Sequence, residues 1–462
     1  MLKNSFFQLF ETLSSSELTA FHQFSKGVYA KQQVGLRLLA YLIEEKKKGK
    51  IANIESAFSA TFLRKMKAGS DRKRLLNIFS DLHNWLKKFL IFKELESDDF
   101  TQKLLLLRVL HRKKLINRFR KSLAQLKKEL TANIYDFWQP LKLLLLHHLV
   151  YFRSLSIPAA DINPSLIVLP SLLKDFYLRA SLRYESALIN LKGLFAVQDV
   201  EIPDLGKTRQ AIQSFQLANP YTNLYYWISR LTDNGTEEAY QKVKELFLEF
   251  PFATKEDEQE ILVYLFNFNG KQFRAGKLDK MKDHFKLLKL GLEKGLLMMD
   301  GQFTKVNFQN IVSVACYLEE FEFADQFIQE YGKHLHIPNA KELISLSSTR
   351  VLIGREQYRP ALKMLSKIYM KEYIYDATRR SYQLICLVEL KENPLLIKNY
   401  CENFLLFNRR NNSQSAQVVA GFKNFVMVVQ KIIKGVPKEE ILEFINRQEA
   451  LVYQTWLQEQ IE

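Results

Sequence analysis

The stretch GREQYRPALKML, which runs from Gly354 to Leu365, decides the fold predicted for this chain. Its aromatic Tyr358 follows a turn-like segment, and the small Ala361 comes three positions later. Apolar Leu365 and Ile368 stand four and seven positions after Ala361, so all three share one face of a helix. A small residue on that face lets a neighbouring helix approach closely. The stretch therefore predicts the second helix of a helical hairpin.

The same order of residues recurs through the C-terminal half of the chain. The clearest second copy reads Phe321, Ala324, Ile328 and Tyr331. The copies are centred, in chain order, on Ala239, Met281, Ala324, Ala361 and Leu395. Their spacings are about 42, 43, 37 and 34 residues, and a recurring period of this length indicates stacked helix–turn–helix repeats.

Composition supports an all-α fold for the whole chain. Glycine (16) and proline (11) are scarce in 462 residues, and a protein built of many β-turns needs both. Apolar residues recur at intervals of three and four, as in the run from Ile116 to Leu130, whose apolar members form one stripe. No sustained alternation with period two is present in the sequence. We therefore predict long helices joined by short turns.

Four blocks of sequence carry a resemblance to known proteins. They are LSSSELTAFHQFSKGVYAKQQVGLRLLAYL (13–42), LLLLRVLHRKKLINRF (104–119), FKLLKLGLEKGLLMMDGQFTKVNFQNIVSVACYLEEFEFADQFIQEY (285–331) and NRQEALVYQTWLQEQIE (446–462). In these blocks the chain resembles a family of uncharacterised Bacteroidetes proteins with tetratricopeptide-like folds. The resemblance implies an α-solenoid of degenerate tetratricopeptide-like repeats and a cytoplasmic location. It implies no activity and no functional residue.

The repeats depart from the strict tetratricopeptide pattern. Where that pattern has a glycine in the first helix, the last two good copies carry Val312 and Thr349. A regular peptide-binding groove is therefore not expected from the sequence.

Three regions are predicted along the chain. Residues 1–130 form a basic helical N-terminal region, residues 131–234 form irregular helical pairs, and residues 235–462 form the solenoid. A single helix over residues 438–460 is expected to cap the solenoid, because an end repeat needs a polar outer face. The residues that this cap should bury are Ile441, Phe444, Ile445, Val452 and Trp456.

Cysteine use and hydropathy predict a cytoplasmic protein without a membrane span. Cys316, Cys386 and Cys401 lie far apart and are odd in number, which argues against a disulfide framework. The most apolar run, Leu141 to Phe152, is about 12 residues long, whereas a bilayer needs about 20. The N-terminus lacks the features of a signal peptide.

Positive charge is concentrated at the N-terminal end. The net charge is +17, and residues 1–150 hold 28 Lys/Arg against 13 Asp/Glu. From Lys103 to Lys128 there are ten basic residues and no acidic one. On a continuous helix these basic side chains would lie opposite the Ile116–Leu130 stripe. The candidate binding residues are Arg72, Lys73, Arg74, Lys113, Lys114, Arg118, Lys121 and Lys128.

This basic face admits three interpretations. It is a solvated helix face, or it attracts an acidic protein partner, or it binds nucleic acid through residues 64–128. Charges interleaved with stacking aromatic residues, as in single-strand binders, are missing from the sequence. We therefore predict a helical-repeat scaffold that binds another protein, with nucleic-acid binding as the alternative.

No pattern for catalysis, metal or cofactor binding stands out. Gly206-Lys207-Thr208 ends like a phosphate-binding loop, but Glu201 replaces the glycine that such a loop requires. His147 and His148 are adjacent and point about 100° apart on a helix, so they cannot share a metal ion. His334 and His336 lack thiols or carboxylates at ligand spacing. We predict a protein that is not an enzyme and holds neither metal nor cofactor.

Overall fold

The computed structural model describes residues 5–49, 54–67, 69–152, 159–194, 204–214, 219–299, 301–410 and 416–461. Within these ranges the chain is all α-helical, with 23 α-helices. The extended pairing found there is one isolated bridge between Met299 and Gln302. The predicted all-α fold class is therefore confirmed.

The helices form two compact units, which meet in the sequence between Tyr177 and Leu178. The N-terminal unit contains α1 (Ser5–Phe10), α2 (Ser15–Val28), α3 (Gln33–Lys47), α4 (Ile54–Phe62), α5 (Gly69–Ser97), α6 (Asp99–Arg112), α7 (Ile116–Ala132), α8 (Gln139–Phe152) and the first half of α9 (Ala159–Leu194). The sequence-based boundaries at residues 130 and 234 stay predictions.

The long helix α5 organises the start of the N-terminal unit, because α1, α2, α3 and α4 all pack against it. Its buried face runs through Phe79, Leu86 and Phe89. The ring of Trp85 is 3% exposed and stacks on Tyr29, with ring centroids 4.2 Å apart. This aromatic pair belongs to the core.

The next three helices, α6, α7 and α8, pack on one another around a second apolar core. Helix α7 contributes Phe119, Leu126 and Leu130, which are all buried, while Ile116 and Leu123 are half-buried. The stripe that the sequence predicted is therefore the face of α7 that packs inward.

The C-terminal unit contains the second half of α9 and fourteen further α-helices in the described residues. They are α10 (Leu205–Ser214), α11 (Pro220–Asp233), α12 (Glu237–Glu249), α13 (Lys255–Arg274), α14 (Asp279–Glu293), α15 (Lys305–Tyr317), α16 (Phe321–Tyr331), α17 (Ala340–Gly354), α18 (Tyr358–Leu365), α19 (Tyr373–Glu389), α20 (Pro394–Arg409), α21 (Ala416–Ile433), α22 (Lys438–Asn446) and α23 (Gln454–Glu459). A short 3₁₀ helix, Gly332–His334, follows α16.

The principal contacts of α10 to α23 join each helix to the next one or to the next but one. Thus α17 packs on α18 within its hairpin, and on α15 and α19 in the neighbouring hairpins. A repeat stack has this nearest-neighbour pattern, since each repeat contacts only those beside it. The helical-repeat fold follows from these contacts, whereas the narrower tetratricopeptide-like assignment stays a prediction.

One turn geometry recurs at the hairpins. At the α15–α16 turn, Glu319 has φ 59°, the amide of Glu319 donates to the carbonyl of Cys316, and the amide of Glu320 donates to the carbonyl of Ala315. This is the Schellman motif, in which a left-handed residue ends a helix. The residues in this left-handed position are Lys114, Gly276, Gly295, Glu319, Glu356, Lys391 and Gly435. Four of the seven are not glycine.

The small residues of the repeats lie where the sequence predicted in the two clearest copies. The prediction that Ile368 shares a helix with Ala361 and Leu365 is wrong, because α18 ends at Leu365. Ala324 in α16 and Ala361 in α18 are completely buried. At the end of α17, Gly354 lies so close to the ring of Phe321 that a Cβ there would be 2.4 Å from Cε1. Small residues thus permit the close approach of neighbouring hairpins. In the weakest copy Leu395 is 62% exposed, and Ile397 instead faces the core.

The predicted single C-terminal helix is wrong. The segment forms α22 and α23, and the break ends at Tyr453, which has φ 55°. A bulky residue rarely adopts this left-handed conformation. Contacts hold it there, because its ring packs against those of Tyr382 and Phe425. Of the residues expected in the buried face, Ile441 and Ile445 are buried, while Phe444, Val452 and Trp456 are half-buried.

An ion-pair cluster joins the second half of α9 to α11 and α13. Nη2 of Arg183 lies 2.8 Å from Oδ1 of Asp257 and 2.5 Å from Oε2 of Glu260. The Arg183 guanidinium also lies over the Tyr225 ring, and Tyr221 donates a hydrogen bond to Asp257. Burial raises the pKa of Glu260, and Arg183 opposes that rise. The cluster therefore fixes α9 against the first hairpin helices of this unit.

Candidate interaction surface

Three of the predicted basic residues form a stripe on α7. Arg118, Lys121 and Lys128 are exposed. At about 100° per residue, they fall within about 80° of one another and opposite the buried face that contains Phe119 and Leu126. At about 1.5 Å per residue, the stripe is about 15 Å long. We call Arg118, Lys121 and Lys128 the α7 stripe.

The expectation of one continuous helix from Lys113 to Lys128 is wrong. Helix α6 ends at Arg112, and Lys113 and Lys114 lie in the turn before α7. Lys114 takes the left-handed position of the Schellman motif, with φ 59°. Both lysines are exposed, so they place positive charge at the amino-terminal end of α7. Positive charge there does not complement the helix dipole, which indicates that packing and not local electrostatics stabilises α7.

The acidic residue nearest in sequence to the α7 stripe is engaged elsewhere. Glu129 accepts hydrogen bonds from Lys103 at 2.7 Å and from Gln125 at 3.0 Å. The hydrogen bond from Lys103 is the largest cause that lowers the pKa of Glu129. Lys103 is also paired with Asp99. This carboxylate pair therefore compensates Lys103 and not the stripe.

The remaining predicted residues lie at the start of α5, on a different helix from the α7 stripe. Arg72, Lys73 and Arg74 are exposed in its first turns. The Arg74 guanidinium lies 4.6 Å from the centre of the Phe62 ring. The neighbouring Asp71 is engaged by Arg64, whose side-chain hydrogen bonds lower the pKa of Asp71 to about 2.

Seven of the eight predicted basic residues make no ion pair with any residue that the structure describes. They are Arg72, Lys73, Lys113, Lys114, Arg118, Lys121 and Lys128. Exposed side chains of one sign, without internal partners, create a field that attracts anionic molecules. The structure thus leaves these cations accessible to a partner of opposite charge.

A cleft in the C-terminal unit was not foreseen from the sequence. It has a volume of about 310 Å³ and lies between α13, α14 and α15. Its polar lining residues are Asn267, Arg274, His284, Asn307 and Asn310. They come from three separate segments of the chain, and only the packing of the helices brings them together.

The histidine pairs behave as structural residues. His147 is buried and its Nδ1 lies 3.0 Å from Oγ of Ser165, while the adjacent His148 is exposed. Burial lowers the pKa of His147 to about 4. Nδ1 of His334 lies 3.1 Å from the carbonyl oxygen of Gly301. Among the residues described, no group of three or more His, Cys, Asp or Glu side chains could hold a metal ion.

The Gly-Lys-Thr segment forms the start of α10. Oδ1 of Asp204 accepts hydrogen bonds from the amides of Gly206 and Lys207. A carboxylate therefore already occupies the amides that a phosphate would need.

One helix in the described part of the chain could cross a membrane by length and composition alone. This is α21, with a mean hydropathy of 1.2. It packs against α19 and α20, and about a third of it is buried. A single helix of this kind is weak support for a span. The absence of a membrane span stays a prediction.

Comparison with known proteins gave no relatives for this chain: no family model, curated protein or solved structure matches it. The resemblance to the Bacteroidetes family therefore stays a prediction.

Proposed function

We propose that this chain is a non-enzymatic, cytoplasmic helical-repeat scaffold of tetratricopeptide-like hairpins that binds an acidic protein. The observation that supports the proposal is the α7 stripe, together with Lys113 and Lys114 beside it. These five cations are exposed and make no ion pair within the described residues. Helix α7 presents Arg118, Lys121 and Lys128 at fixed positions, because its opposite face is held in the core by Phe119, Leu126 and Leu130.

An acidic surface is the partner that this arrangement fits. Each exposed ion pair contributes little by itself, so affinity would come from several pairs formed together and from fast, charge-steered association. The α7 stripe is one row of positive charges about 15 Å long. Acidic side chains on one face of a helix or along an extended segment can be spaced to pair with this row.

Charge reversal tests the proposal. In the variant Arg118→Glu/Lys121→Glu, the first two residues of the stripe would repel an acidic partner, and we expect the affinity for that partner to fall about tenfold or more. The matched control is Arg359→Glu/Lys363→Glu. These two residues are also exposed on a helix, α18, but in the C-terminal unit.

The assay is affinity capture from host extract with the wild type and both variants, with and without nuclease. Proteins that are retained by the control, lost by the stripe variant and insensitive to nuclease support the proposal, provided that the purified candidate then binds directly. Capture that is equal for both variants would refute a role for the stripe. Capture that nuclease abolishes would support nucleic-acid binding instead.

A further inference from the structure

The cleft between α13, α14 and α15 interrupts the regular packing of the repeats. Elsewhere the first helices of successive hairpins pack directly on one another, as α11 does on α13, α15 on α17, and α17 on α19. The pair α13 and α15 is missing from the principal contacts of the described helices, although the rings of Phe273 and Tyr317 do meet, with centroids 4.9 Å apart. The cleft, with a volume of about 310 Å³, lies between α13, α14 and α15, where α13 and α15 pack sparsely on each other.

One side of the cleft is apolar and the other is polar. The apolar lining residues are Val263, Phe266, Leu288, Leu297 and Ile311. On the polar side, Asn267 donates a hydrogen bond to Asn190, and Asn307 donates one to the carbonyl of Leu297. A carboxamide has two donor hydrogens and an acceptor oxygen, so both asparagines keep further capacity. Asn310 is exposed and makes no side-chain hydrogen bond with the described residues.

The lining carries a single positive charge and no carboxylate. Arg274, at the end of α13, is exposed and makes no ion pair within the described residues. The nearby acid Asp283 is occupied, since it accepts hydrogen bonds from Lys244 and Tyr240. His284 stacks on Phe266, and burial lowers its pKa to about 4, so its imidazole is neutral at physiological pH.

One feature leaves room for a ligand next to these groups, and another leaves a buried polar atom unpaired. Gly270 lines the cleft without a side chain, and a Cβ placed there would lie 3.6 Å from Nη1 of Arg274, an ordinary contact distance. Nδ1 of His284 is buried and has no hydrogen-bond partner among the described residues. A buried polar atom without a partner is uncommon in proteins.

We propose that this cleft binds an organic monocarboxylate, with its carboxylate on Arg274 and the carboxamides and its apolar body on Phe266 and Leu288. A guanidinium matches a planar carboxylate in a bidentate geometry. One cation in the lining balances one negative charge, whereas a phosphate dianion would keep an unbalanced charge. The volume lies at the lower end of the range for small-molecule pockets, which restricts the ligand to a small acid or the end of a peptide. The inference concerns the C-terminal unit and is independent of the α7 stripe.

The test uses defined ligands and the full chain. The ligands are phenylacetate, 3-phenylpropanoate and 4-phenylbutanoate, each paired with its neutral carboxamide, and a short peptide ending in phenylalanine with a free or an amidated carboxyl end. Binding is followed by ligand-observed NMR and titration. We expect at least one acid or the free-ended peptide to bind, and its amide to bind about tenfold more weakly or worse. Preference for the free acid or for the peptide distinguishes a small molecule from a chain end.

Variants locate the site. Arg274→Gln should remove the preference for acid over amide, while Lys271→Gln, an exposed charge change in the same helix turn outside the lining, should leave affinity within about twofold. Gly270→Leu should fill the cleft and abolish binding, and Gly270→Ala controls for the stability of the helix.

Three results would overturn the proposal. They are equal binding of acids and amides, an acid preference that survives Arg274→Gln, and no binding by any of the acids or the free-ended peptide to the folded wild type. Circular dichroism of each variant shows whether a loss of binding reflects unfolding.

Discussion

Replacing Arg183 by methionine should lower the unfolding free energy of the C-terminal unit by about 3–5 kcal/mol. The side chains of Arg183, Asp257 and Glu260 are only 14%, 10% and 24% exposed, so the variant leaves two carboxylates with little solvent and without this cation. Methionine keeps much of the volume, and the loss would therefore reflect charge more than packing. For a unit of this size, about 2 °C per kcal/mol corresponds to a fall of about 6–10 °C in the thermal midpoint.

The loss of stability caused by Arg183→Met should depend on pH in a definite direction. Burial already raises the pKa of Glu260 above its ordinary value, so the folded state holds this proton more tightly than the unfolded state. A raised carboxyl pKa favours the folded state at low pH, and this contribution is lost as pH rises through the folded pKa. Without Arg183 the pKa of Glu260 rises further, so the deficit of the variant should be larger at neutral pH than near about pH 5.

Thermal and urea unfolding of the full chain, followed by circular dichroism, measures these effects. The control is Arg355→Met, whose partners Asp325 and Glu322 are 49% and 82% exposed. Loss of an exposed pair should cost about 1 kcal/mol or less. Adding Glu260→Gln to Arg183→Met should restore part of the stability. If Arg183→Met costs no more than the control, or if the added change restores nothing, the cluster does not fix α9 in the way described.

Two further predictions concern the cores. Gly35→Ala would place a Cβ 2.6 Å from Cη2 of the buried Trp85, so urea unfolding should show a net loss of stability of about 1–2 kcal/mol after the gain in helix propensity. The control Gly27→Ala, whose Cβ would have nothing within 4 Å, should be neutral or slightly stabilising. Equal effects of the two changes would contradict the tight contact at Gly35. Burial raises the pKa of the Cys316, Cys386 and Cys401 thiols to about 11, 12 and 12. A thiol-specific reagent should therefore label these cysteines only at the rate of unfolding. Rapid labelling of the native protein would show that this core opens.

The hairpins were predictable from sequence because their packing depends on residue size at fixed spacing. Ala324 and Ala361 mark the close contacts, and each is completely buried. The positions of the turns were harder to predict, since Lys114, Glu319, Glu356 and Lys391 occupy a conformation that usually signals glycine. For this reason the sequence suggested one helix through Lys114.

The other features also differ in whether a local sequence pattern could predict them. Exposed charge on α7 follows from composition and helical periodicity, so Arg118, Lys121 and Lys128 could be found in advance. The break at Tyr453 depends on rings from α19 and α21 that are remote in sequence. The cleft depends on how sparsely α13 and α15 pack on each other, and no local sequence pattern records the extent of a contact between two separate helices.

The shared turn also affects how this chain could change in length. The five hairpins from α13–α14 to α21–α22 close on the same hydrogen-bonded turn. A segment copied from one left-handed residue to the next, such as Glu319 to Glu356, therefore carries both of its junctions with it. Duplication or loss of such a segment would leave the backbone geometry at either splice unchanged. The array is therefore open to growth or shortening by whole hairpins, and the non-glycine turn residues leave the side chains on that edge free to vary.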